Sequence, residues 1–281
     1  MHLIKLKNSD DGVVGIVVTV LLIGLFMAVL VMVNTIYVPQ WIEESEAAHM
    51  ETVSNQFAKL KYVLDIQSVI NDSTSMSTPI TLGTKEIPFF DSGQSFDQLE
   101  IVENAVNITF SRYGTTAKYS YIEDIIKFSS SNSYFVDQSY IYEAGALIIG
   151  QEDSHVLFGK PSILVTDYAK NITMTIVNIV GINGKTSISG YGIFPIYTEC
   201  INPNFTYTVL RNVTSISIQT DYPNAWKVAL NNSLRYSGIN YELNTLSDQV
   251  IINFIDPSDD YFTFKVREVD ISTQISFGRA Q

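Results

Sequence analysis

The run Val13–Val33, VVGIVVTVLLIGLFMAVLVMV, carries no charged residue, and Gly15, Thr19 and Gly24 are its only non-apolar interruptions. At about 1.5 Å of rise per residue, its 21 residues reach across the roughly 30 Å hydrocarbon core of a bilayer. Lipid offers no water to pair a backbone amide, so such a run has to be helical. Lys5 and Lys7 precede it, whereas Glu43, Glu44 and Glu46 follow it. The basic flank is expected to stay cytoplasmic, which puts the C-terminal bulk outside. Tyr37 and Trp41 fall where an interfacial aromatic belt sits. The run is longer than the core of a cleaved secretory signal, and it ends in Asn34-Thr35-Ile36-Tyr37 without a small-residue cleavage pattern. Two readings are open for Met1–Gly12: a retained cytoplasmic leader, or a short polar leader cut between Gly12 and Val13.

Beyond the expected span (13–36) the pattern turns amphipathic. Met50, Val53, Phe57, Leu60 and Leu64 recur at spacings of three and four, with Glu51, Lys59, Lys61 and Asp65 on the polar side. This predicts a helical stalk over 37–70, with Pro39 marking a kink or a fresh start. The stripe has two readings: it packs on the chain's own downstream domain, or it forms a seam between subunits of a filament. Five apolar positions are too few to establish a coiled coil.

Asn71–Pro79, NDSTSMSTP, reads as a link. After it, short runs rich in Val, Ile, Thr, Tyr and Phe alternate with turn signals, the pattern of a sandwich or barrel. Among them are Gln98–Val102, Val106–Ser111, Ser133–Tyr142, Ala146–Gly150, Asn171–Ile179, Phe205–Leu210, Ser215–Thr220 and Tyr261–Val269. A short helix is predicted after Pro223, ending near Asn231, because proline suits a helix start. The expected fold class is α+β: a long hydrophobic helix followed by an all-β, sandwich-like antiparallel head over 71–281. Two lobes dividing near residue 160 are one way to arrange it.

The formal net charge of −12 argues against nucleic acid as a partner. A single cysteine, Cys200, excludes an intramolecular disulfide framework, and it is expected to be buried and inert. His2, His49 and His155 are scattered, and none stands at a metal-ligand spacing from another. Gly181-Ile182-Asn183-Gly184-Lys185-Thr186 has two residues between its glycines where a phosphate loop has four, and Asn183-Gly184 reads as a hairpin turn. Asp256-Pro257-Ser258-Asp259-Asp260 lacks the spacing of an EF-hand and reads as turn chemistry. No catalytic residue, cofactor or metal is expected on these grounds. Asn-x-Ser/Thr acceptors occur at Asn71, Asn107, Asn171, Asn204, Asn212 and Asn231, all beyond the anchor and candidates for N-glycosylation.

Four stretches carry a resemblance. They are the leader and helix start Asp10-Asp11-Gly12-Val13-Val14-Gly15-Ile16-Val17-Val18-Thr19-Val20, the continuation Glu46–Leu64, Tyr140–Ile149, and Val177–Gly192. In these the chain resembles pilin-like envelope proteins of archaea, of the methanogen type. The resemblance implies a type IV pilin-like architecture, in which a helix sits in the membrane before assembly and carries a β-sandwich head. Cleavage at Gly12–Val13 and an uncleaved anchor both stay open, and the expected partners are lipid along Val13–Val33 and copies of the chain or other pilin-like subunits. Many such pilins carry a glutamate early in the mature helix, where this chain has Val13 to Val17. The function expected is that of a structural or adhesive surface protein. The alternatives are a non-polymerising anchored head that binds envelope components, and an anchored enzyme.

Overall fold

In the computed structural model the described residues are 10–70, 73–84, 96–152, 154–166, 171–182, 184, 186–203, 206–255 and 262–275. The chain is α+β, with one long N-terminal helix followed by a large β domain. The helix begins as α1 (Asp10–Met32), passes through a wide π-turn (Val33–Tyr37) and continues as α2 (Val38–Gln67). Pro39 accounts for the π-turn. In a regular α-helix it would fail to donate to the Thr35 carbonyl, and its ring would clash there. Instead the Val38 N–H bonds five residues back, to the Val33 carbonyl. The wider turn admits the ring without breaking the helix, so the predicted kink or restart is a local bulge.

The apolar span is long enough to cross a membrane, and none of it is buried by the rest of the chain. Its hydroxyls are satisfied internally: Thr19 Oγ1 donates to the Gly15 carbonyl at 2.9 Å and Thr35 Oγ1 to the Val31 carbonyl at 2.8 Å.

The head contains β1 (Met76–Leu82), β2 (Asp97–Arg112), β3 (Tyr119–Ser129), β4 (Gln138–Glu143), β5 (Ala146–Gln151), β6 (Ser154–Gly159) and β7 (Ser162–Thr166). It continues with β8 (Asn171–Gly181), β9 (Ser187–Gly190), β10 (Gly192–Cys200), β11 (Thr208–Gln219), α3 (Pro223–Leu234), β12 (Tyr241–Thr245), β13 (Gln249–Phe254) and β14 (Phe262–Ile275). The main path runs β1-β10-β14-β11-β2-β3-β4-β5-β6, with the other strands branching from it. The described pairings are antiparallel except one: β8 lies parallel to β14, from Asn171↔Thr263 to Gly181↔Thr273. The predicted helix after Pro223 is α3, which ends three residues later than expected.

Several expected boundaries shift. Met76–Pro79 belongs to β1 rather than to a link, and Pro79 sits on this edge strand, opposite Pro195 of β10. Gln98–Val102 and Val106–Ser111 are one strand, bulged at Val102/Val106, where Asn104 takes φ 53°. Likewise β11 unites part of Phe205–Leu210 with Ser215–Gln219 through a bulge at Asn212, φ 61°. Gly184 does turn the chain, at φ 64°, but among the described residues β8 and β9 do not pair with each other: β8 pairs with β7 and β14, and β9 with β2. Asn183 and the Asp256–Asp260 segment lie outside the described residues.

Two hydrophobic cores form, and they do not divide at a chain position near 160. In β14, Phe262, Phe264 and Val266 enter one core, and Val269, Ile271 and Ile275 the other. Even positions give way to odd ones. Because side chains alternate along a strand, the two cores lie on opposite faces of the same strand. The same change of parity runs through β8 (Ile172, Met174, Ile176, then Val177, Ile179) and β2 (Leu99, Ile101, then Val106, Ile108, Phe110). The β4–β5 hairpin is the wall between them: Tyr140, Tyr142 and Leu147 face one core, Ile141, Ala146 and Ile148 the other. That is why Tyr140–Ile149 is apolar at consecutive positions. Ala144 and Gly145, both at positive φ, close this hairpin as a two-residue turn. A Cβ on Gly145 would sit 3.8 Å from the Thr175 carbonyl, so φ rather than space favours glycine there.

Candidate functional site

The most elaborate arrangement of side chains joins the stalk to the head. Met50, Val53, Phe57, Leu60 and Leu64 are all buried, and they enter the second core with Ile80, Leu82 and Phe128. The Phe57 ring lies 6.1 Å from Phe128 and 5.6 Å from Tyr140, in tilted and edge-on geometries typical of aromatic pairs. These five positions therefore face the chain's own sheet. The stripe thus packs on the chain's own downstream domain, the first of its two readings, and its five side chains are buried there.

Polar groups lock the same helix along its length. Glu46, 1 % exposed, accepts the backbone N–H groups of Ser133 (2.7 Å), Tyr134 (2.9 Å) and Phe135 (2.7 Å). One turn on, His49 Nε2 lies 2.6 Å from Asp97 Oδ2. That buried carboxylate also accepts the Gly83 N–H at 2.7 Å and the Ser131 N–H at 3.1 Å. Gln56 and Thr81 exchange two hydrogen bonds of 2.8 Å. Lys61 Nζ reaches both Asp65 Oδ2 (2.8 Å) and the Gly145 carbonyl (3.0 Å). It passes over Gly159, where a Cβ would stand 2.6 Å from the Lys61 chain. Gln67 Nε2 ends the series on the Thr198 carbonyl at 2.9 Å. By sequence, Ser133–Asp137 is expected in a strand and Lys61 on the polar side of the stalk helix. The first is a loop that caps Glu46 and the second is a bridge. The Glu46/His49 spacing of three put both on one helix face, but their partners come from residues 83–135, which no local pattern reveals.

Two further carboxyl groups are buried at the head's centre. Glu123 on β3 sits opposite the β2 bulge, with both oxygens buried and without a hydrogen-bond partner. Burial, then the charges of Glu268, Asp270 and Asp124, raise its pKa to about 8. Glu143 ends β4 and accepts the Trp226 indole N–H at 2.6 Å. Burial raises it to about 7. Cys200 is buried, and burial pushes its thiol up as well. Among the described residues no group of three or more His, Cys, Asp or Glu is arranged to hold a metal ion.

A cleft of about 490 Å³ opens where the β2 bulge meets the end of β11. Its polar lining is Asn104, Asn107, Gln219, Thr220, Asp221 and Asp248, and among the described residues no Lys or Arg lines it. Of the glycosylation acceptors, Asn107 lies in this cleft, half-buried on β2. Asn212 is exposed on the β11 bulge and Asn231 exposed on α3, while Asn171 opens β8. Asn71 and Asn204 lie outside the described residues. At the candidate cleavage point, Gly12 and Val13 fall within α1, with Val13 exposed. The comparisons add no relative: no protein-family model, no curated protein and no solved structure matches the chain.

Proposed function

We propose that the chain is a pilin-like structural or adhesive envelope protein, a subunit or minor component of an extracellular filament or of a related assembly machine. One observation carries the reading: a single continuous helix whose first half is uncovered and apolar, and whose second half is fixed to a β head. Such a helix serves as a membrane anchor before assembly and as a handle afterwards. The charge pattern of Lys5 and Lys7 against Glu43, Glu44 and Glu46 supports a cytoplasmic N-terminus and an extracytoplasmic head. The role proposed is mechanical or adhesive rather than catalytic. Shearing of cells, followed by immunoblotting of the released filaments and N-terminal sequencing, tests it. The expected result is this chain in filaments, beginning at Val13. An intact Met1 together with no filament-borne chain would overturn the proposal.

The second reading, a non-polymerising anchored head that binds envelope components, is favoured by one observation. The stalk's apolar stripe is buried in the chain's own core, which leaves α1 as the apolar surface for a second copy. Recovery of the chain solely in membranes, with an uncleaved leader, is the outcome that supports it.

A further inference from the structure

We infer that the cleft between the β2 bulge and the end of β11 binds a neutral saccharide. Along its floor runs a transverse row on one face of the sheet, three of whose members line the cleft while the fourth, Gln249, stands beside it. Ile122 pairs with Asn107, Asn107 with Gln219, and Gln219 with Gln249, across β3, β2, β11 and β13. Residues paired in register share a face, so three amides and one aliphatic side chain stand side by side. Gln219 offers a carbonyl acceptor and two N–H donors, while Asn107 and Gln249, whose carbonyls accept from Thr109, Ser120 and Ser217, offer their N–H donors, which suits hydroxyl groups that both donate and accept. Ile122, 53 % exposed, supplies an apolar surface for the C–H face of a sugar ring. Asp221 and Asp248 on the rim add acceptors.

The walls hold their shape without using these groups. The Asn104 N–H is tied to Asp124 Oδ1 at 2.8 Å. The Thr220 N–H is tied to the Asp248 carbonyl at 2.9 Å, and Thr220 Oγ1 accepts the Tyr222 N–H at 3.0 Å. The Asp248 carboxylate takes no part in that backbone bond. The volume of about 490 Å³ lies within the usual range of small-molecule sites, roughly 300–1,000 Å³.

The charge of the lining selects among ligands. Two carboxylates and no cation repel phosphates, uronates and other anions. An apolar ligand would strand the amides unpaired. A neutral polyhydroxy ligand remains.

Asn107 adds a second, independent observation. It is the acceptor of an Asn-Ile-Thr triplet, and it lies inside the cleft. Its Oδ1 accepts from Thr109 Oγ1 at 3.2 Å and from Ser120 Oγ, which leaves the Nδ2 end as the donor. Nδ2 is also the atom to which an N-linked glycan attaches. The saccharide therefore has two sources: a glycan carried on Asn107 itself, which requires an extracytoplasmic head, or one belonging to the surrounding envelope. The inference holds whether or not the chain polymerises.

The test uses the full chain in detergent, produced in a host without N-glycosylation and, separately, purified from native membranes. Calorimetric titration is carried out with maltotriose, N,N′-diacetylchitobiose and the glycan fraction released from the native chain, with trigalacturonate as the anionic control. The unglycosylated chain is expected to bind at least one neutral probe saturably and trigalacturonate at least tenfold more weakly. Gln219→Ala and Asp248→Ala, both on exposed side chains, should each weaken the neutral probe about tenfold while the thermal melt stays unchanged. Asp248→Asn serves if Asp248→Ala lowers the melt. If mass spectrometry finds a glycan on Asn107 of the native chain, added probe should not bind until Thr109→Ala abolishes the acceptor triplet; that result assigns the chain's own glycan as the occupant. A bare Asn107 with probe binding assigns an external one. The inference is overturned if the unglycosylated chain binds none of the neutral probes, or if binding survives both substitutions unchanged.

Discussion

Glu46 shows how one side chain sets the pose of the head on its stalk. Its buried carboxylate accepts three part-buried N–H groups from a loop almost ninety positions later in the chain. Hydrogen bonds to a charged group contribute about 1.5–3 kcal/mol each, and an unpaired buried donor costs a similar amount. Glu46→Ala is therefore expected to lower stability by about 3 kcal/mol, read from a denaturant melt, because water entering the vacated space repairs part of the loss. Glu123 behaves in the opposite sense. It has no partner, and its folded pKa of about 8 lies above the ordinary 4.5. The folded chain thus holds the proton more tightly than the unfolded chain does. Its favourable contribution is complete below about pH 4.5 and is lost as pH rises through 8. Glu143, at about 7, acts in the same direction. Stability should fall by on the order of 6 kcal/mol between pH 5 and 8, more than half of it from Glu123. In Glu123→Gln most of that slope should vanish, leaving the part that belongs to Glu143. A variant that kept the full slope would show that the carboxyl group is ionised or solvated in the folded chain.

At the scale of elements, the helix divides by what covers it rather than by any break in its hydrogen bonding. Pro39, which in sequence marks a helix boundary, is carried by the π-turn Val33–Tyr37. Sequence periodicity located the stripe Met50–Leu64 correctly as one helix face, and burial on the head took the first of its two readings. Phe57 sits between Phe128 and Tyr140 with no exposed surface. Phe57→Ala should cost about 3–5 kcal/mol, since the rings around it are held by separate strands and cannot collapse into the space. Equilibrium unfolding followed by aromatic circular dichroism measures this. A loss below about 1 kcal/mol would mean that the stalk lifts off the sheet without consequence.

For the whole molecule, two cores on opposite faces of shared strands make one cooperative head. The strands β2, β8 and β14 each enter both. The stalk belongs to that unit from Val38 onward, where burial begins, and the apolar span does not. A chain starting at Val38 is expected to be soluble, monomeric and to melt within a few degrees of the full chain. A chain starting at Ser68 lacks Met50, Val53, Phe57, Leu60 and Leu64 and would expose the second core. It should aggregate or lose its cooperative melt. Size-exclusion chromatography and calorimetry of the two chains distinguish these outcomes. A soluble, cooperative head from the shorter chain would mean that the stalk is an accessory.

The sequence by itself determined what depends on neighbours along the chain: the uncharged span Val13–Val33, the stripe Met50–Leu64, the helix after Pro223, and most strand positions. Hydrophobic period and charge are local properties, so they survive without knowledge of contacts. It also presented the six glycosylation triplets, though not that Asn107 lies in a cleft. Only the tertiary structure decided which strands pair, that β8 and β14 run parallel, and that the described strands β8 and β9 pair elsewhere rather than with each other. It alone brought Asp97 to His49, the 133–135 loop to Glu46, and Asn107, Gln219 and Asp248 to one cleft. Those associations join residues tens of positions apart through sheet register, and register is set by the sum of many weak side-chain choices across the whole head. The uncovered helix with which the chain begins is legible in a single line of sequence; the grip that the head keeps on its continuation is not.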